Sequence, residues 1–462
     1  MFSIIEVFFM VLNTNYFELA KEDWSKVDFG DKRLNERAIL IGTEFLNNPF
    51  VSPPKMMKSF KATKAFYRFM DSDKVSHEKL ITTHVTKSKN KLIENKIILA
   101  IQDSMTISLN RNYDIEGLYT VGGSKNNNAE GILIHNTISV IPYDHYGIID
   151  GLLHQIVHKR KPKEERNKDN NDSILWTKSI AAVGIAPKDT TVIDVMDRGA
   201  DMLKVMNSSL KHNHEFIIRA KHNRLLDEKN ANSLFDFVKR LPVAGHTFLD
   251  VQANKGRKKR IAKLNISFSK ITLPKTKNEK DNPPVNCSVI QVLETDCVDN
   301  QEPLKWFILT SLDVRTLNDA LKIVKYYSFR WIIEEYHKCM KTGFRLEQTQ
   351  LKKLQRIENL LGFIAISSVK LLQLRDIVRN NPEAEAQEYV EKEDINIVRA
   401  YYKIEKKEMT IDRFLRYIAQ MGGFLNRKND GNPGWQSIWE GWKFFLGMKE
   451  GVKLQKEGLI YG

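Results

Sequence analysis

Three cysteines in 462 residues are too few for a disulfide framework, and Cys287, Cys297 and Cys339 lie too far apart for a four-ligand zinc site. They fit a reducing cytoplasm. Long apolar runs are also missing: none reaches the roughly 18 residues of a membrane span, so no membrane partner is expected. The apolar start, MFSIIEVFFMVL, is short, carries Glu6 and has no basic residue ahead of its apolar part, unlike a signal peptide. Met10 is an alternative start, which would make the first nine residues a gene-calling extension. No P-loop glycine pattern occurs, which leaves a nucleotide without support, and no local motif supports Ser-His-Asp catalysis. Acidic residues are outnumbered, 57 against 72 lysines and arginines.

That imbalance is the distinctive number. A formal charge of +15 calls for a polyanionic partner bound with salt-dependent affinity, and nucleic acid is the first candidate. With 42% hydrophobic residues, the chain can build a substantial core in two or three domains.

One stretch organises the rest. Tyr326 to Lys341, YYSFRWIIEEYHKCMK, sorts by chemistry when read as a helix. Tyr327, Arg330, Glu334 and Lys341 fall within an arc of roughly 60°, with His337 beside them. Phe329, Ile332, Ile333, Tyr336, Cys339 and Met340 take the opposite side and can seat the helix on a core. The bland reading is a solvated amphipathic helix. The spacing Y-(2)-R-(3)-E-(6)-K, however, resembles the signature of the insertion sequence four family of transposases, and the surrounding string is similar to the transposon five type. The resemblance implies that Glu334 closes a DDE triad and that Tyr327, Arg330 and Lys341 handle the DNA backbone. Two aspartates must then come from elsewhere.

Residues 10–90 read as a small helical domain. GDKRLNERAILIGTEFL starts with a turn at Gly30-Asp31, with Leu34, Ala38, Ile39 and Phe45 as core candidates. KATKAFYRFM interleaves Lys61, Lys64 and Arg68 with Phe66, Tyr67 and Phe69, a pattern that suits phosphate contact plus packing. A solvated basic bundle fits the composition equally well. GDKRLNER followed by AFYRF resembles the family's end-binding domain, which implies that Arg33 and Arg37 contact the transposon end.

Residues 91–375 carry the strand signals. KIILAIQD is a buried strand with Asp103 at its tip; NTISVIPY and GIIDGLLHQIVHK follow, joined by a turn at Asp144 to Gly147. A polar, strongly basic loop covers 158–168. SILWTKSIAAVGI reads as a helix, TTVIDVMD as a strand ending in Asp197, DMLKVMNSSLKHN as a helix and EFIIRAKHNR as a strand. Hairpin strands followed by alternating helix and strand is the order of a ribonuclease H-like α/β core, in which ligands gather at strand carboxyl ends. A lone strand-end aspartate is more often a cap than a catalyst. Asp194 lies three residues earlier on the opposite face, and Asp201 lies at the start of the next helix. VMDRGADM resembles the family's second acidic motif, which assigns the catalytic role to Asp197 and a supporting one to Asp201.

The 137 positions from Asp197 to Glu334 exceed a bare core, so a β-rich insertion is expected at about 222–312. NKGRKKR, 254–260, is either a solvated hairpin tip or a phosphate clamp. PLKWFILTS closes the insertion. Trp306 is core on burial statistics, but it matches the family tryptophan that stacks on a flipped base. IIRAKH matches a family strand with DNA-contacting cations, here Arg219 and Lys221. QRIENLLGFIAISSVKLLQLRD is an apolar core helix, and Asn380-Asn381-Pro382 marks a boundary before a helical C-terminal domain, 376–462. There Trp435, Trp439 and Trp442 share one helical stripe, core by default and a dimer seam by family analogy.

The chemistry the resemblance implies is strand cleavage by in-line attack on phosphorus. Two Mg²⁺ ions about 3.5–4 Å apart, with Mn²⁺ able to substitute, would stabilise the attacking and leaving oxygens. Hard cations need oxygen ligands, here Asp103, Asp197 and Glu334. The implied protein is a cut-and-paste transposase acting as a homodimer on double-stranded DNA, at terminal inverted repeats and target, through a hairpin intermediate. Two rivals stay open: a metal-dependent nuclease without strand transfer, and a non-catalytic end-binding inhibitor.

Overall fold

The computed structural model describes residues 16–48, 51–109, 115, 118–121, 130–143, 146–159, 165, 171–227, 232–251, 260–275, 281–295, 303–380, 382–405, 408–428 and 430–458. The Met10 start, Cys297, the turn residues Asp144 and His145, most of the 158–168 loop and residues 254–259 lie outside these. Two compact units form. One joins Met1–Thr86, Arg111–Leu118 and Tyr336–Gly462; the other joins Lys87–Asn110 and Tyr119–Glu335.

Helix α1 (Tyr16–Trp24) buries Leu19, Ala20 and Trp24. Gly30, at φ +69°, turns the chain, and Asp31 then caps α2 (Lys32–Asn47) by accepting from the Arg33 N–H at 3.0 Å. Ala38, Ile41 and Phe45 form the buried side of α2; Leu34 and Ile39, expected in the core, are only half-buried. After the short α3 (Pro53–Met56), α4 (Phe60–Met70) buries Phe66, Phe69 and Met70, leaving Lys61, Lys64 and Arg68 in solvent. Helix α5 (His77–Asn90) follows.

The second unit is built on a mixed sheet of β1 (Ile97–Ser108), β2 (Tyr119–Thr120), β3 (Glu130–Pro142), β4 (Gly147–His158), β5 (Thr191–Met196) and β6 (Glu215–Arg219). Helices α6 (Ile174–Val183) and α7 (Leu203–Lys211) separate its parallel strands. β3 is antiparallel to β1 and to β4, whereas β5 runs parallel to both β1 and β6. This is the ribonuclease H-like arrangement. A small pair, β7 (Leu225–Asp227) and β8 (Asn232–Ser233), and helix α8 (Leu234–Lys239) follow. The β-rich insertion then adds β9 (Gly245–Val251), β10 (Arg260–Leu273), β11 (Val285–Glu294) and β12 (Lys305–Thr310) to the same sheet in the order β6-β12-β11-β10-β9. It extends the core sheet instead of forming a separate module. Of the basic run, Arg260 is described: its guanidinium is bonded to Glu294 at 2.7 Å, so this cation serves the sheet and is no phosphate clamp.

The buried face below the sheet holds Asp194, which accepts from Gln102 at 3.1 Å and Ser209 at 2.7 Å and meets His214 Nδ1 at 3.0 Å. Burial alone would lower the His214 pKa, but the Asp194 charge and hydrogen bond outweigh it and hold the imidazole above its ordinary value. A histidine raised in the fold gives stability that is complete below its unfolded value of 6.5 and is lost as pH rises through the folded value. Urea unfolding is expected to show stability declining above that pH, with His214→Gln removing this part of the decline.

A capping box, Thr316 with Asp319, starts α9 (Leu317–Ser328), and α10 (Trp331–Lys338) comes next. Helix α11 (Leu354–Asn380) is the core of the first unit, where Phe363 stacks on Phe45 with centroids 5.5 Å apart. Then come α12 (Lys392–Tyr402), α13 (Ile411–Met421) and α14 (Trp435–Lys456). The tryptophan stripe is corrected here. Trp435, Trp439 and Trp442 are all buried within the single chain, Trp442 also donating to the Tyr16 hydroxyl at 3.1 Å, so their bodies are core and not a seam. No helix among the described residues is long and apolar enough to cross a membrane.

Candidate active site

The first two carboxylates are set side by side by strand register. β1 and β5 are parallel neighbours with Ile101 opposite Val195, and Asp103 and Asp197 each lie two residues further along. Asp197 immediately follows the last residue of β5, one position past the expected strand end, and its Oδ1 accepts from the Gly199 N–H at 2.7 Å, capping a short 3₁₀ turn. Asp103 was expected at a strand tip, yet β1 runs on to Ser108. The residues after Asp103 pair with β3 as far as Ser108 opposite Gly131, which keeps the strand going and places Asp103 in its middle. Alternation puts Gln102 and Asp194 on the other face, so Asp194 is structural.

The third carboxylate arrives through Arg330. The stretch 326–341 is not one helix: after Ser328, Phe329 and Arg330 bond back to Tyr326 and Tyr327 in tightened i to i+3 turns, α10 begins at Trp331, and a π-type turn, Cys339–Gly343, ends it. Arg330 and Glu334 still meet at i,i+4, one guanidinium nitrogen bonding Glu334 and the other reaching Asp103 at 3.2 Å. Burial, then the charge of Asp197, lifts the Asp103 pKa to about 6, against the opposing pull of Arg330; the Glu334 charge adds to the rise. Two like charges near a largely buried carboxylate disfavour its ionised form.

The same register carries the surroundings. Met196 pairs with Ile218, so Asp197 adjoins Arg219 at the end of β6. β12 lies antiparallel to β6, and the Ala220 N–H donates to Phe307 O at 2.7 Å, which brings Trp306 opposite Lys221. Trp306 is half-buried and meets Tyr327 edge-on, centroids 5.3 Å apart. Tyr327, expected on the polar face, is buried. It leans on Trp306 and lies beside Arg330 and Arg219; burial raises its pKa against the pull of those cations. Burial, helped by the charges of Arg198 and Arg330, lowers the Arg219 pKa, and Arg219 donates to Lys305 O at 2.9 Å. Lys221 lies beyond the strand, not in it. Its N–H and that of His222 donate to Asp201 Oδ2 at 2.6 and 2.9 Å, and Asp201 pairs with the buried Arg224. Asp201 therefore anchors the loop after β6 and leaves the start of α7, capped by Met202, alone.

Carboxylate oxygens are the right donors for a hard divalent ion. Among the described residues no three His, Cys, Asp or Glu side chains are grouped to hold a metal, and Arg330 is bonded to two of the candidate ligands, Asp103 and Glu334.

Family models match three consecutive parts of the chain. "Transposase DNA-binding" matches residues 18–75, "Transposase DDE domain" matches 151–370, and "Transposase Tn5 dimerisation domain" matches 364–457. The chain belongs to the DDE transposases. It is a DDE-type DNA transposase of the transposon five kind, with DNA-binding and dimerisation domains, and membership implies use of a divalent metal. The catalytic match covers Asp197 and Glu334 and begins after Asp103, which the strand register alone brings in.

The remaining residues singled out in the sequence sit in this transposase's other unit. Lys341, in the π-type turn, is half-buried with Glu347 at 4.0 Å. Arg33 is exposed, though tied to Asp31 at 3.0 Å, and Arg37 is half-exposed one turn on. One residue escaped the sequence reading. Phe60 is 83% exposed at the start of α4, within the DNA-binding match. Its signal was present: Phe60, Lys64 and Arg68 repeat at i, i+4, i+8, opposite the buried Phe66 and Phe69.

Proposed function

We propose that this transposase cuts and pastes a DNA element: it cleaves at terminal inverted repeats and joins the freed 3′ ends to target DNA, working as a homodimer in the bacterial cytoplasm. Residues 10–90 bind the ends, 91–375 carry the chemistry and 376–462 dimerise. Asp103, Asp197 and Glu334 are the catalytic carboxylates, which would hold two Mg²⁺ ions, with Mn²⁺ as a substitute. When bound, such ions activate the attacking oxygen and stabilise the leaving one. One observation carries the reading: the β1–β5 register sets Asp103 beside Asp197, and one guanidinium, Arg330, joins Asp103 to Glu334.

The chain's own residues supply position. Arg330 can grip a backbone phosphate bidentately, while Arg219, Lys221 and Lys341 contribute charge along the same strand. Trp306, braced edge-on by Tyr327, offers an aromatic face to a base extruded near the cut, recovering part of the stacking lost on flipping. Arg33 and Arg37 contact the end's backbone. Phe60 reaches a base edge or thymine methyl, with Lys61 and Lys64 on the flanking phosphates.

A labelled transposon end incubated with the protein and Mg²⁺ tests the function. Cleavage followed by a joined target product is the expected result. Cleavage that never yields a joined product would leave a nuclease, and binding without cleavage an inhibitor. End binding separates the contact types. Phe60→Ala is expected to weaken binding to the cognate end about tenfold, equivalent to ~1.4 kcal/mol, without altering its salt dependence. Lys64→Ala should weaken binding to any duplex and lower the salt slope by about one.

A further inference from the structure

We infer that Arg330 occupies the place of the divalent ions in the free protein, and that a DNA phosphate is what draws it away, so that this site binds metal more tightly once DNA is bound. The inference rests on the reading of Asp103, Asp197 and Glu334 as metal ligands.

Asp103 and Glu334 are joined through one guanidinium, and the β1–β5 register sets Asp197 beside Asp103. Without a cation such a cluster is unstable. Arg330 is the cation that answers it: its two terminal nitrogens go to different carboxylates, Nη1 to Asp103 at 3.2 Å and Nη2 to Glu334. The guanidinium side chain is 20% exposed, and the Asp103 side chain 19%.

A metal needs the same oxygens. An ion bound by Asp103 and Glu334 would sit within reach of a fixed positive charge, so the guanidinium and the metal exclude each other. To leave, Arg330 must find another anion, because a half-buried guanidinium without a partner is costly. A phosphodiester is planar-fork compatible and is what this protein binds. Its arrival would open the carboxylates and supply the new partner in one exchange. The device is a conformational tax on metal affinity: if the form with Arg330 displaced is about one-tenth populated, apparent affinity falls about tenfold.

The test uses the full-length protein and Mn²⁺ alone as probe, following the free aquated ion by electron paramagnetic resonance, with and without a duplex from the element's end and with the duplex-only signal subtracted. The wild type is expected to bind Mn²⁺ at least about tenfold more weakly without the duplex than with it. Arg330→Gln should raise Mn²⁺ affinity of the free protein by a similar factor, and Arg330→Met should do the same if its melting profile matches the wild type. Adding Asp103→Asn to Arg330→Gln should abolish the gain. If the wild type binds Mn²⁺ equally well in both states and neither Arg330 variant changes it, the exchange is wrong, while loss of that binding in Asp103→Asn would keep the carboxylate reading. If Mn²⁺ binding survives Asp103→Asn and Glu334→Gln together, the carboxylate reading itself falls.

Discussion

Asp103→Asn, Asp197→Asn and Glu334→Gln are each expected to lower cleavage of a transposon end by about a thousandfold or more, ~4 kcal/mol of barrier. End binding should change by less than about twofold, since the family's DNA-binding match lies at residues 18–75. The amides preserve shape and remove a negative donor, so the loss reports charge and not packing. Asp103 adds a second, opposite effect. Its pKa stands at about 6, above the ordinary 3.8, because burial and the neighbouring acids disfavour the charged form. The folded protein therefore holds this proton more tightly than the unfolded chain. The associated stability is full below pH 3.8 and is lost as pH rises through about 6. At pH 7.5 the ionised carboxylate is a cost that Asp103→Asn removes, at the expense of its pairing with Arg330. A net gain on the order of 2 kcal/mol is expected in urea unfolding. A protein made inactive and more stable by the same substitution has the signature of a functional carboxylate held in a strained setting. Equal stability with full activity would remove Asp103 from the site.

How much of this was legible depends on the range of the signal. The end of β5 was legible because the strand pattern VIDVM stops where Asp197 caps the following turn, though the preference for Asp197 over Asp201 came from the family resemblance of VMDRGADM. The expected strand tip at Asp103 was misplaced: the boundary of β1 depends on pairing with β3, a partner some thirty residues away, and no property of KIILAIQD encodes where that pairing stops. Arg330 and Glu334 kept their i,i+4 relation through a kink the periodicity did not predict, because a single tightened turn shifts the phase by a fraction of a residue. Tyr327 falls on the polar face by helix geometry yet is buried, with its ring edge-on to Trp306 at the close of the insertion. The three tryptophans illustrate the same limit. A stripe announces that a face is apolar, but only the folded chain tells whether its own residues or a second copy cover it.

Gly441→Ala is expected to disrupt the C-terminal helix pair more than any other single-methyl change there. A Cβ at Gly441 would lie 1.7 Å from the Ile418 carbonyl oxygen and 2.9 Å from the Gly422 nitrogen. The contact is mutual: a Cβ at Gly422 would lie 2.1 Å from the Ser437 carbonyl oxygen. These are backbone atoms, which no rotamer change can move aside, so α13 and α14 must separate. Phe414, Ile418, Trp442 and Phe445 would lose packing with them. A destabilisation of about 3 kcal/mol or more follows, at the upper end for overpacking. Limited proteolysis should then cut within residues 364–457, the dimerisation match, and light scattering should show loss of dimers. A second variant separates folding from association. Phe444 on α14 is 49% exposed and touches Tyr401 on α12, itself 48% exposed, edge-on at 5.8 Å. Phe444→Glu leaves the Gly422–Gly441 crossing untouched, so it should retain protease resistance while weakening the dimer by about tenfold or more if that pair lies in the seam. Protease-resistant dimers in both variants would show that the helix crossing tolerates the methyl group and that the second copy docks elsewhere.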